Sequence, residues 1–295
     1  MKLPPLLIGC IAATWFIWGS TYLVIRIALQ SFEPFFMMST RFFCAGALLF
    51  AWQLARGHRT PNLREWRNAA LVGTLMMGGG MGGTAFAELT VGSGLVVAFI
   101  AVTPVALVLV NRAFGVAPTR RELLAVLIGL AGVLLLTRGQ SFQGSRTGLT
   151  AMCIAVPCWA TGSILSQRGF SLAPGPMGFA SEMLCGGLTL LGLSLLRGES
   201  WSLPSAPAPY IAWTYLVLFG SLIAFSAYML LLSRVPTSLA SSYTLVNPVV
   251  ALTLGVTLGG ERVSPDEWLA AAVILGAVVL LFLRPRRSTE GNATR

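Results

Sequence analysis

The sequence predicts an all-α integral membrane protein, with ten transmembrane helices arranged as two inverted five-helix repeats and both termini cytoplasmic. Three observations carry that prediction. Charged residues make up 10% of the 295 residues, whereas a soluble domain holds about 25%. The apolar runs are long enough to cross a bilayer core about 30 Å thick, which takes about 20 residues of helix. The second half of the chain restates the first.

The ten runs cover residues 6–29, 34–54, 68–86, 91–111, 123–137, 147–168, 177–196, 210–232, 237–258 and 268–283. The short connections leave no room for a separate soluble domain. A strand barrel would need alternating segments of about ten residues, and these runs are continuous and longer.

The repeat is clearest where Phe99 opens F-I-A-V-T-P-V-A-L-V-L-V-N-R-A-F-G and Tyr243 opens Y-T-L-V-N-P-V-V-A-L-T-L-G-V-T-L-G, about 144 residues later. Pro104 answers Pro248, Gly115 answers Gly259 and Gly132 answers Gly276. Nearer the start of each copy the offset drifts by a few residues, as connections of unequal length require: Gly19-Ser20 answers Gly162-Ser163, and Cys44 answers Cys185. The copies occupy residues 1–140 and 141–286, followed by a disordered cytoplasmic tail, 287–295. Each copy crosses the membrane five times, an odd number, so the second enters from the opposite face and the repeats are inverted. Two copies related in this way can exchange conformations around a site near the midplane, the architecture of alternating access.

A net charge of +10 raises the question of nucleic acid, and the placement of the charges excludes it. With the N-terminus inside, fourteen of the 20 Lys and Arg residues fall on the cytoplasmic side, five fall outside and only Arg41 lies within the membrane. That asymmetry is the positive-inside pattern. The five cysteines lie inside predicted spans without a Cys-x-x-Cys, and His58 is the only histidine, in a basic loop. No metal cluster or cofactor is expected from them. Leu7-Ile8-Gly9-Cys10 resembles a lipoprotein processing site, but the apolar run before the cysteine is about six residues, too short for a signal peptide.

Candidate site residues sit on helical stripes. Trp15, Trp18, Tyr22 and Arg26 share one face of the first run, and Trp159, Ser163 and Gln167 share one face of its counterpart. Large flat side chains beside hydrogen-bonding groups suit the walls of a polar cavity, or else serve as packing and interfacial anchors. Phe99 and Thr103 lie one turn apart, with Tyr243 and Asn247 at the matching places. Pro104 and Pro248 follow, each freeing a carbonyl one turn earlier, so they and Gly79, within G-T-L-M-M-G-G-G-M-G-G-T, are candidate hinges. That glycine-rich stretch lacks a Gly-Lys-Ser/Thr ending and a preceding strand, so it is not a phosphate loop.

Arg41 falls on Glu182 when the copies are aligned. A charge at the bilayer centre costs about 2.5 to 3.5 kcal/mol on insertion scales, so such residues usually face protein or water and mark a pathway. Together the two would read the carboxylate and ammonium of a zwitterion, with Trp18, Tyr22, Phe99, Trp159 and Tyr243 as walls. They could instead pair with each other as a gate, and Arg41 could snorkel to the outer boundary. Glu88 reads as a solvated loop carboxylate.

Trp18-Gly19-Ser20, Pro34 leading to Arg41-Phe42, Asn247-Pro248 and Gly260-Glu261-Arg262, in this order over nearly the whole chain, resemble the EamA-type members of the drug/metabolite transporter superfamily. The first copy departs at Val116-Ala117, where the Gly-Glu pair is missing. The resemblance implies a multi-pass carrier of the bacterial inner membrane, monomeric or homodimeric, moving small metabolites such as amino acids, often outward. The rivals are a non-transporting receptor or assembly protein, and an intramembrane enzyme. The second is disfavoured, since Ser20 and Ser163 have no histidine in any span and no lysine beyond Lys2 to activate them, and Asp266 is the only aspartate.

Overall fold

The computed structural model describes residues 3–91, 96, 99–136, 145–259 and 265–282. Its long elements are all helical: α1 (Pro5–Ala28), α2 (Pro34–Ala55), α3 (Leu63–Ala87), α4 (Phe99–Ala113), α5 (Arg120–Leu136), α6 (Arg146–Gly169), α7 (Pro176–Arg197), α8 (Pro207–Arg234), α9 (Tyr243–Gly259) and α10 (Pro265–Phe282). Among the described residues, 6 helices, namely α1, α2, α3, α6, α7 and α8, are long and apolar enough to cross a membrane, and α4 is a shorter apolar helix. Gly260-Glu261-Arg262 and the tail after Phe282 lie outside the described residues.

The helix ends follow from the sequence around them. Proline occupies the first turn of α1, α2, α7 and α8, where a missing N–H removes no intrahelical bond. α3 starts at Leu63 rather than at residue 68 because Asn62 and Glu65 form a capping box, and Arg59 grips the same Glu65 carboxylate. α7 stops at Gly198, whose φ of 66° suits a residue without Cβ. The predicted ninth run divides: a helical turn, Thr237–Ala240, precedes α9. At the break the Thr244 hydroxyl bonds the Ser241 carbonyl at 2.8 Å, the kind of local competitor that interrupts a helix.

Among the described residues, three helices contain π-helical turns, at Thr74–Gly82 in α3, Leu165–Gly169 in α6 and Leu216–Ile223 in α8. The glycines of α3 let it lie against α6: a Cβ on Gly79 would stand 2.7 Å from Cys158 Sγ, and one on Gly80 3.1 Å from the Trp159 ring. Close packing is therefore what the structure shows for Gly79, in keeping with small residues at membrane helix interfaces.

The packing partners come in matched sets. α1 contacts α8 and α9, while α6 contacts α3 and α4; α2 contacts α8, while α7 contacts α3; α2 packs on α7 and α5 on α10. Exchanging each helix for the one five places away maps this set of contacts onto itself. The wall of the pocket described next comes from the α1, α3, α4, α6 and α9 parts of this set, with one residue of α2.

Candidate functional site

At the centre, α1, α6, α8 and α9 bring four rings into one cluster. Trp18 stands 4.6 Å from Tyr243, 5.2 Å from Tyr228 and 5.6 Å from Trp159, between ring centroids. Tyr228 completes the set, at 5.4 Å from Trp159 and 5.5 Å from Tyr243. These separations are those of favourable edge and offset aromatic contacts, each worth roughly 0.5–1.5 kcal/mol beyond burial. The cluster is anchored by polar tips: Trp18 Nε1 donates to the Gly220 carbonyl at 3.1 Å, and the Tyr228 hydroxyl donates to Ser163 Oγ at 2.8 Å, which in turn donates to the Trp159 carbonyl.

Trp18, Trp159 and Tyr243 form part of the wall of a half-open pocket with a cavity volume of about 70 Å³, completed by Tyr22, Thr21, Met38, Thr84, Ile100, Thr103 and their apolar neighbours. The indole N–H of Trp159 is buried beside the Tyr228 and Tyr243 hydroxyls. Aromatic faces and hydroxyls suit a flat or apolar body with a few polar atoms. No ionisable acid or guanidinium stands in that wall.

Among the predicted residues, Trp18, Tyr22, Thr103, Trp159 and Tyr243 therefore meet at one pocket. Ser163 sits behind the rings as the acceptor for Tyr228. Asn247 lies among Trp15, Tyr22 and Tyr243; with its amide turned to satisfy its neighbours, its nitrogen donates to the carbonyls of Trp15 at 3.2 Å and Tyr243 at 3.0 Å. Phe99 joins a small apolar cluster beside Tyr22 rather than the pocket wall. Pro248 is inside α9, and Pro104 lies in α4 just past a turn at Val102. Tyr228 was not singled out by the sequence; a tyrosine in the otherwise apolar Tyr228-Met229-Leu230-Leu231-Leu232 run is the signal that could have found it.

Arg41 and Glu182 are both 0% exposed, yet they are not partners. Arg41 does not snorkel: its Nε donates to Ser221 Oγ on α8 at 2.8 Å, its Nη1 lies 3.4 Å from Met38 Sδ, and its Nη2 has no partner. Glu182 accepts from Ser166 on α6 at 3.4 Å, and its other oxygen has no partner. Among the described residues no ion pair joins the two charges, so the contact expected of a gate is not formed. Each has its own neighbours, Ser221 and Met38 for Arg41 and Ser166 for Glu182. Ser166 lines a second cavity, of about 790 Å³, between α1, α6, α7 and α8.

Glu88 corrects another expectation. Its Oε1 is enclosed without a hydrogen-bond partner, in a small recess with Tyr22, Arg26, Val91 and Val96. Burial pushes its carboxyl well above the usual carboxylate range, and the charge of Arg26 opposes that shift.

Apolar helices around an aromatic pocket fit the class of membrane transporters, and its relatives assign the chain to that class. The EamA-like transporter family model matches residues 6–138 and again 146–283, and the chain belongs to that family, within the drug/metabolite transporter superfamily. It is 42% identical over 278 residues to the inner membrane transporter YedA of Escherichia coli K12, covering 94% of this chain and 90% of YedA. It is also 26% identical to the WAT1-related protein At3g02690 of Arabidopsis thaliana, covering 90% of this chain and 67% of that one, and 23% identical to protein PecM of Dickeya dadantii, covering 90% and 88%. A protein crystal structure shares the fold at a TM-score of 0.75 and 19% identity, over 92% of this chain and 94% of that one. The chain is thus a multi-pass protein of the bacterial inner membrane.

Proposed function

We propose that this carrier moves a small metabolite with a flat or branched apolar body across the inner membrane, outward, by alternating access between two inverted five-helix repeats. The observation that carries the reading is the four-ring cluster, built from α1, α6, α8 and α9 and placed between two cavities. Along α1 the second cavity is lined by Leu6, Gly9, Cys10 and Ala13, and the aromatic pocket by Trp18 to Ile25. Along α6 the order is Ala155 to Trp159 for the pocket, then Ser166 and Gln167 for the second cavity. The rings thus stand where a partition between two half-channels belongs, and the matched packing pairs support the repeat. The ten crossings, the cytoplasmic termini and the amino-acid-like cargo follow the charge asymmetry and the family resemblance, and one chain suffices to build this path.

The test compares cells overproducing the intact chain with cells making equal membrane amounts of Trp18→Ala, by untargeted mass spectrometry of medium and cytosol. One compound class should accumulate outside, roughly ten-fold over the variant, the scale expected when a buried aromatic anchor is removed. Matching profiles at equal expression would remove the pocket from the transport path.

A further inference from the structure

Arg41 holds a positive charge in the interior with no acid beside it among the described residues. Its neighbours are a hydroxyl, a thioether and the Phe42 ring, 4.9 Å from the guanidinium carbon. Buried charges are normally paired, because removing both ions from water is costly and leaving one alone is costlier. Here Nη2 is left without even a hydrogen bond.

The partition between that guanidinium and the pocket is one side chain thick. Met38, whose sulfur touches Nη1, is itself part of the pocket wall. On the α8 side the position where a Cβ on Gly220 would stand lies 2.7 Å from Nη2 and 3.4 Å from Cγ2 of Thr21, another wall residue. Only a residue without a side chain admits both groups there. The same Gly220 offers its carbonyl to Trp18.

We propose that Arg41 is the acid-recognising subsite of the pocket and that Met38 is its shutter: cargo carrying one carboxylate turns the thioether aside and docks that group on the Nη1–Nη2 edge. The inference rests on reading the aromatic pocket as the substrate site, and it narrows the cargo to small monocarboxylates with a flat or branched apolar body. A guanidinium presents two parallel N–H groups that match a carboxylate. Methionine, unbranched and with three rotatable bonds, can move without rebuilding the wall. A dianionic phosphate would ask for more cationic groups than the single one placed here.

The experiment uses the full chain purified in detergent and three matched probes: phenylacetate, 2-phenylethanol and 2-phenylethylamine. Binding is read by tryptophan fluorescence and by thermal shift, in wild type, Arg41→Gln, Met38→Ala and Trp159→Ala. Wild type should bind phenylacetate about ten-fold tighter than the alcohol, a ratio within reach of one charge-assisted contact, and the amine weakest. Arg41→Gln should erase the difference while keeping the alcohol's affinity. Met38→Ala, which leaves the charge in place and so guards against a misfolded arginine variant, should tighten phenylacetate severalfold relative to the alcohol, whatever the smaller wall does to both. Equal affinities for the three probes in wild type, with all of them lost in Trp159→Ala, would overturn the acid subsite and leave the pocket standing. Met38→Ala changing acid and alcohol alike would overturn the shutter. Affinities indifferent to Trp159→Ala, or no binding of any probe, would sink the pocket as the site and the subsite with it.

Discussion

Gly220 shows how much one residue settles at this site. It sits in a π-helical turn of α8, accepts the Trp18 indole N–H, and leaves the space that Arg41 Nη2 occupies. Gly220→Ala should therefore displace Arg41 and unseat Trp18 together, lowering transport about as far as Trp18→Ala does, while membrane expression measured by immunoblot stays within about two-fold, since overpacking costs typically 1–3 kcal/mol. Tyr228→Phe is the milder change: it removes one buried hydrogen bond, to Ser163, and should cost about 1 kcal/mol in thermal stability while keeping the ring contacts. Glu88 makes a prediction about pH. Because its folded carboxyl binds a proton more tightly than an unfolded one, stability should be highest in acid and fall as pH rises above the ordinary carboxylate range; in a thermal-unfolding series Glu88→Gln should flatten that slope. At this scale the sequence was readable wherever spacing alone set a face, as for Trp18 and Tyr22. It was silent on Ser221 and Gly220, which reach Arg41 across 180 residues of chain.

Between elements, the α2–α7 pair is fixed at its ends as well as along its length. The loop after α7 returns Glu199 to the start of α2, where its carboxylate accepts from the Phe35 and Phe36 N–H groups at 3.2 and 2.8 Å. A carboxylate at a helix N-terminus satisfies orphan donors and favours the dipole. Midway, Ser39 donates to the Gly187 carbonyl at 2.9 Å. Glu199→Ala should cost about 1 kcal/mol, the usual worth of a helix cap, seen as a lower melting temperature in detergent; an unchanged value would mean that Pro34 alone suffices to start the helix. The start at Pro34 could be read from the sequence because proline fixes its own φ. The cap could not, since it arrives from 164 residues away. The π-helical turns were equally hidden: they follow from how α3, α6 and α8 accommodate their neighbours, and composition leaves no mark of it.

At the scale of the molecule, the proposed inverted repeat accounts for why Arg41 and Glu182 align in sequence without pairing. Residues at equivalent positions in inverted copies lie at mirrored depths, so aligned Arg41 and Glu182 fall on opposite halves of the protein unless they sit at the midplane. The rings of Trp18, Trp159 and Tyr243 meet although none is the counterpart of another in the repeat, so their contact comes from the packing of α1, α6 and α9 and not from equivalence. The same logic sets the last prediction. If the rings separate two half-channels, a thiol in each should be reachable from one side only. Gly9→Cys lines the second cavity with nothing within 4 Å of its Cβ, and Thr84→Cys lines the aromatic pocket. In a background with the five native cysteines replaced, a membrane-impermeant maleimide should modify Gly9→Cys in inside-out vesicles and Thr84→Cys in right-side-out ones, and cargo should change both labelling rates in opposite directions. The reverse sidedness would invert the proposed orientation of the termini. Labelling of both positions from both sides would mean an open channel, and rates indifferent to cargo would mean a fixed partition; either result would end the case for alternating access.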